Sequence, residues 1–124
     1  KNMGDMITFT GYCNNPIDFI NAADIFALPS VANEDMPLVI LSAMKLGKPI
    51  VATNFAGIQE EIESGVSGIL IEPNEQTIVD NLVHALIEMS HCNNIWGKNA
   101  QVRYEELFSP KIYERKLLEI YSKS

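Results

Sequence analysis

Short apolar runs alternate along this chain with longer stretches of helical periodicity. Ile25-Phe26-Ala27-Leu28, Ile50-Val51-Ala52-Thr53 and Gly68-Ile69-Leu70-Ile71 are continuous rather than alternating, and Pro29, Asn54 or Glu72-Pro73 closes each of them. Runs so short and so uniformly apolar predict strands covered on both faces, as in a parallel sheet. Ile7-Thr8-Phe9-Thr10, closed by Gly11, predicts a further strand.

Between the runs the period changes. Asn15-Pro16 predicts a helix start with Pro at the first helical position, and Ile17, Ile20 and Ala23 give that helix its apolar face. From about Pro37 to Leu46 the chain is apolar nearly all round, through Leu38, Val39, Ile40, Leu41, Ala43 and Met44. This predicts a buried helix, stopped at Gly47 with Pro49 just beyond. Residues 54–58 read as a loop, followed by a short polar helix with Gln59, Glu60, Glu61 and Glu63 that Gly65 stops. Ile78, Leu82, Ala85, Leu86 and Met89 recur at helical spacing, and two more helices are expected at about 94–107 and 110–121, the last capped by Ser109. Strands alternating with helices across short connections predict a parallel sheet wound by right-handed crossovers. The expected architecture is a Rossmann-like α/β domain over residues 1–124 with a helical C-terminus, although no Gly-x-Gly-x-x-Gly follows any strand.

Composition narrows the partners. The chain has 124 residues, is 47% hydrophobic and carries a net charge of −7. It can bury a core, and its charge repels nucleic acid and acidic membrane surfaces. Cys13 and Cys92 lie far apart without Cys/His spacing, which predicts neither a metal site nor a disulfide framework and fits a reduced cytoplasmic setting. No segment reads as a signal peptide or a membrane span. The chain begins at Lys1 in mid-pattern, which is expected of a piece of a longer protein.

The candidate chemistry lies at residues 30–39. Glu34 stands in a loop just ahead of a buried helix start, above the expected carboxyl ends of the sheet. Without Ser or Thr before Pro37, the N–H groups of Leu38 and Val39 are open to a ligand oxygen unless Asp35 folds over to cap them. A lone loop glutamate also serves as a solvated or capping acid. Asp24 reads as a turn residue, and Gly57 as a turn needing positive φ. Trp96 and the tyrosines read as packing residues, and His84 and His91 receive no role.

The order of residues resembles the C-terminal, nucleotide-sugar-binding domain of retaining glycosyltransferases of the GT-B fold, the glycogen-synthase-like group. The resemblance runs through residues 7–11, Ala22-Ala23-Asp24-Ile25-Phe26-Ala27-Leu28-Pro29-Ser30, Glu34, Pro37-Leu38-Val39-Ile40-Leu41, Ala43-Met44, residues 47–53, Gly57, Glu60, Gly68 and Phe108. It implies that Glu34, the first of two family glutamates, hydrogen-bonds the donor sugar. It further implies that Asp35, Met36, Pro37, Leu38 and Val39 line the donor site, with N–H groups near Met36, Leu38 and Val39 holding sugar or diphosphate oxygens. Tyr12 and Gly57 would be loop contacts, Tyr12 near the base. The implied reaction transfers a glycosyl unit from a nucleotide sugar to a polysaccharide or glycolipid acceptor, with retention and without an obligatory metal or other cofactor. Glu60 matches a family acid at the start of the helix after that loop, where a carboxylate also suits the helix dipole.

Three positions depart from the pattern. Ser42 replaces the second glutamate, whose carboxylate grips both ribose hydroxyls in the family, a loss on the order of 1.5–3 kcal/mol unless a water bridges. Asp35 brings negative charge beside the diphosphate, and Ala56 replaces a glycine. In the family an upstream Arg and Lys neutralise the diphosphate and a separate N-terminal domain binds the acceptor. Neither precedes Lys1, so the chain is expected to be inactive alone and, in the longer protein, cytoplasmic or peripheral to the membrane. The apolar stripe Ile112, Tyr113, Leu117, Ile120 and Tyr121 is expected to meet the acceptor domain or, without it, to self-associate. A rival reading is a non-catalytic α/β interaction module with a degenerate nucleotide site.

Overall fold

A computed structural model describes residues 4–11, 14–30, 38–91 and 93–122. After a 3₁₀ turn at Gly4–Met6, the elements in chain order are α1 (Pro16–Ala22), β1 (Phe26–Leu28), α2 (Leu38–Lys45), β2 (Ile50–Thr53) and α3 (Ala56–Glu61). They continue with β3 (Ile69–Ile71), α4 (Ile78–His91), α5 (Asn93–Leu107) and α6 (Pro110–Ser122). The three strands form one sheet in the order β1-β2-β3. Both pairings are parallel, with Ala27 opposite Val51 and Ala52 opposite Leu70.

The sheet is covered on both faces because its central strand is apolar on both. Successive β2 side chains point to opposite sides. Ile50 and Ala52 join Ile40, Ala43 and Met44 of α2, Ile58 and Ile62 around α3, and Ala100 and Tyr104 of α5. Val51 joins Ile71 and the α4 residues Ala85 and Met89, with Leu82, Leu86 and Trp96 packed alongside. Burying one Ile or Met is worth about 1.5–3 kcal/mol against about 1 kcal/mol net for a ladder hydrogen bond. Two packed layers, rather than the short ladders, hold the sheet.

α2 ends as its sequence requires. Gly47 adopts φ +72, the Gly47 N–H donates to the Met44 carbonyl and the Lys48 N–H to the Ala43 carbonyl. This is a Schellman stop, available to glycine without the Cβ penalty. α5 lies directly on that turn: a Cβ on Gly97 would press into the Gly47 carbonyl. From the same helix the Gln101 amide donates to the Lys45 carbonyl at 3.0 Å. Arg103 Nε donates to the Glu61 carbonyl at 2.8 Å and Nη2 to the Glu60 carbonyl at 2.9 Å. Asn99 donates to the Val66 carbonyl at 2.9 Å. One helix therefore satisfies the carbonyls left over where α2 and α3 end.

Several expectations need correction. Ile7–Thr10 forms no strand, and Phe9 is 94% exposed. A strand needs an edge to pair with, and among the described residues the run is next to none. Ala27 in β1 is exposed rather than covered, β1 being at the edge of the sheet among the described residues. Leu38 is 77% exposed, since the buried face of α2 runs through Ile40, Ala43 and Met44. α3 begins earlier than expected, so Gly57 falls in a helical turn rather than at positive φ and Glu60 lies at the helix end, not its start. α6 has no buried residue: Ile112 and Leu117 are half-buried, while Tyr113, Ile120 and Tyr121 are exposed. Tyr113 and Tyr121 are thus not core packing residues, unlike Tyr104.

Candidate functional site

In a parallel sheet every strand delivers its carboxyl end to the same side, and ligands of α/β proteins bind in the crevice there. Here that side is formed by Leu28, Thr53 and Ile71 and the segments that follow them. Thr53, fully buried, donates its hydroxyl to the Leu28 carbonyl at 3.5 Å, and the Asn54 N–H donates to the Ile71 carbonyl at 2.7 Å. The strand ends are thereby tied across the sheet and offer a fixed floor. Above the floor, Asn54 Oδ1 is buried without a hydrogen-bond partner. An orphan acceptor at this spot is costly unless something donates to it. By sequence Asn54 reads only as a loop residue, because an Asn after a strand is so common in turns.

Pro29 and Ser30 follow β1, and the next described element is α2. Glu34, Asp35, Met36 and Pro37 lie outside the described residues, as does Tyr12. Leu38 and Val39 open α2 and aim its N-terminus at the crevice side of the sheet, since the helix runs back toward the start of β2. The first turn of a helix presents backbone N–H donors and partial positive charge to what lies ahead of it. Ser42 follows Leu38 by one turn and shares its face. It is half-buried, and its hydroxyl donates to the Leu38 carbonyl at 3.5 Å, a long bond easily given up. Gly57 is in the first turn of α3, whose N-cap Phe55 supplies no side-chain oxygen. Leu38, Val39 and Gly57 thus lie in the first turns of α2 and α3, and Ser42 one turn further along α2.

The remaining candidates lie elsewhere. Asp24 is exposed at a bend before β1. His84 lines a groove of about 310 Å³ between β3 and α4, with Leu70, Glu72, Asn81 and Glu88. Among the described residues no group of three or more His, Cys, Asp or Glu is arranged to hold a metal ion.

A parallel sheet wound by helices on both faces, with helix N-termini at its carboxyl end, defines a Rossmann-like ligand-binding α/β protein. Comparison with known proteins narrows this class. Residues 1–89 match the family model of the glycosyl transferases group 1, and the chain belongs to that family. It is 31% identical over 102 residues to the Escherichia coli UDP-Gal:alpha-D-GlcNAc-diphosphoundecaprenol alpha-1,3-galactosyltransferase, covering 81% of this chain and 25% of that protein. Among solved structures, Anabaena HepE in complex with UDP superposes with a TM-score of 0.83 at 29% identity, over 97% of this chain and 33% of that one. HepE is also known in complex with UDP-glucose. Sucrose-phosphate synthase from Thermosynechococcus elongatus gives a TM-score of 0.83 at 25% identity, over 98% of this chain and 31% of that one. The fold is that of the GT-B glycosyltransferases, and the chain spans about a quarter to a third of the length of these relatives. Among the described residues, no helix is long and apolar enough to cross a membrane.

Proposed function

We propose that residues 1–124 are most of the donor-binding half of a GT-B glycosyltransferase. In this reading a nucleotide sugar lies above the carboxyl ends of β1, β2 and β3, and its glycosyl unit passes with retention to a polysaccharide or glycolipid acceptor. The observation that carries it is the likeness to HepE, which binds UDP and UDP-glucose, across nearly the whole chain. Glu34 is assigned to the donor sugar hydroxyls. The N–H groups near Met36, Leu38 and Val39 are assigned to sugar and diphosphate oxygens, Ser42 to the ribose, Gly57 to a further contact and Tyr12 to the base. No metal is needed for this grip, because helix N–H groups and the upstream cations of the longer protein stabilise the leaving diphosphate.

The strand order supports the division of the domain. A doubly wound sheet commonly runs 3-2-1-4-5-6, and three consecutive strands stepping in one direction match its second half. Ile7–Thr10 then corresponds to the far strand 3, separated from β1 by two strands, strands 1 and 2, supplied by an upstream βα pair. On this reading the run is unpaired because its neighbours lie outside residues 1–124. The acceptor domain belongs to the longer protein, which we place in the cytoplasm or at the membrane periphery. The chain alone should bind donor weakly and not turn over, for it lacks the cations and the facing wall that excludes water. Its acidity argues against nucleic acid as a partner.

Calorimetric titration of the chain with UDP and UDP-glucose tests the reading. Binding weakened by Glu34→Ala and strengthened about tenfold or more by Ser42→Glu is the expected result, by analogy with a charged hydrogen bond of about 1.5–3 kcal/mol. No binding to either nucleotide by wild type, by Ser42→Glu and by the longer protein refutes it. A second reading, a non-catalytic module with a decayed site, is favoured by the Ser42 hydroxyl, which turns back to its own helix. That reading predicts that Ser42→Glu changes nothing.

A further inference from the structure

Glu61 is the most anomalous side chain in the described fold. It is wholly shielded from solvent, and neither carboxylate oxygen has a hydrogen-bond partner. It is also the last residue of α3, where the helix dipole is negative and disfavours an anion. A buried, unpaired carboxylate is among the costliest groups a protein can hold charged, and it is normally neutralised instead.

The charges nearby do not relieve it. Glu60 precedes it on α3, and Glu63 follows just beyond the helix. On the side of α5, Arg103 and Glu106 line a groove of about 160 Å³ with Glu63 and Ser67. Arg103 is the one cation in that groove, and its donors are engaged with the backbone carbonyls of Glu60 and Glu61 and with Glu63, whose carboxylate lies 3.7 Å from Nη1. The guanidinium therefore holds the backbone of residue 61 and leaves its side chain unpaired.

We propose that Glu61 is held as a neutral carboxylic acid in the folded protein, so that its ionisation works against the seating of α3 and makes the helix carrying Gly57 proton-sensitive. Burial, aided by the charge of Glu60, pushes its pKa up from 4.5 to about 7, in agreement with the orphaned oxygens. An acid raised in this way favours folding fully below its unfolded value of 4.5. The contribution declines as pH rises from there and is gone once pH passes about 7. The seating is a property of residues 54–62 and stands apart from whether Gly57 touches a donor.

Selective ¹³C labelling of glutamate and NMR titration of the chain reads Glu61 directly. A δ-carbon midpoint near 7 is expected, and a midpoint near 4.5 overturns the proposal. In urea unfolding from pH 4 to pH 8, the folding constant of Glu61→Gln relative to wild type should rise roughly 300-fold, the equivalent of the stated pKa change. A ratio independent of pH overturns it, and if Glu61→Gln does not fold the titration of the wild type decides alone. Local unseating is tested by amide exchange. Amides 58–62 should lose more protection than those of β2 between pH 5 and pH 8 after correction for intrinsic rates, and an equal loss overturns that part.

Discussion

Replacing Gly97 by Ala sets two effects of opposite sign against each other. Residue 97 is inside α5, where Ala is favoured over Gly by about 1 kcal/mol on helix propensity alone. The added methyl, however, would press into the Gly47 carbonyl oxygen, 3.1 Å from its carbon and 3.3 Å from Pro49 Cδ. Neither neighbour is a flexible tip: Gly47 is fixed at φ +72 with its N–H and that of Lys48 bonded into α2. Moving α5 away instead stretches the Gln101 bond to Lys45. Overpacking of this kind costs about 1–3 kcal/mol, and each backbone bond lost adds about 1 kcal/mol. The clash outweighs the propensity gain, and a net destabilisation of about 2 kcal/mol is expected. Urea unfolding followed by circular dichroism should show the midpoint fall by about 1 M, given a slope of about 1–3 kcal/mol/M. Lys98→Ala, one residue along on the exposed side, is the control and should stay within about 0.5 kcal/mol. A Gly97→Ala chain as stable as wild type would refute the close approach of α5 to the Gly47 turn.

Other outcomes follow from the same contacts. Arg103→Met keeps the aliphatic stem but drops both carbonyl bonds at the end of α3, and should cost about 1.5–3 kcal/mol in the same assay. The loss should change little with salt, because the Glu63 pair at 3.7 Å is the weaker part of the grip. Gly47→Ala should cost about 1–2 kcal/mol by forcing a β-carbon into the left-handed region, although the nearest atom it would meet, Gln101 Oε1, is at an ordinary 3.6 Å. If α6 mediates self-association, sedimentation should show a concentration-dependent dimer that Leu118→Glu with Ile120→Glu abolishes, since both side chains are more than 60% exposed.

What could be read in the sequence was what local chemistry decides. β2 was legible because Ile50 to Thr53 is apolar without a break, bounded by Pro49 and Asn54, and it is buried throughout. The stop at Gly47 and the start at Ser109-Pro110 were legible because capping is a contact among neighbours. Ser109 Oγ accepts from the Ile112 N–H at 3.4 Å, as expected. The run Ile7–Thr10 was misread because β propensity describes a side chain's fitness for a sheet, not the presence of an edge to join. Leu38 and Tyr113 were misread because apolarity alone does not say which face of a helix meets a neighbour. Glu61 could not be anticipated, since Gln59-Glu60-Glu61 reads as a polar face and its burial depends on what packs around α3, including an α5 residue 42 positions later. Of the candidate site, the GT-B resemblance was legible from order and spacing, and the orphaned Asn54 was not, because it depends on three strands meeting.

Three polar side chains of α5, Asn99, Gln101 and Arg103, reach carbonyls 33, 56 and 42 residues away. As the chain leaves the ribosome, at about 5–20 residues per second, every strand emerges before the helix that finishes the ends of α2 and α3. For those seconds the nascent sheet is an unclasped intermediate with bare carbonyls at the ends of α2 and α3. Premature termination before residue 99 would leave it so permanently, a ready substrate for chaperones and proteases rather than a smaller version of the domain.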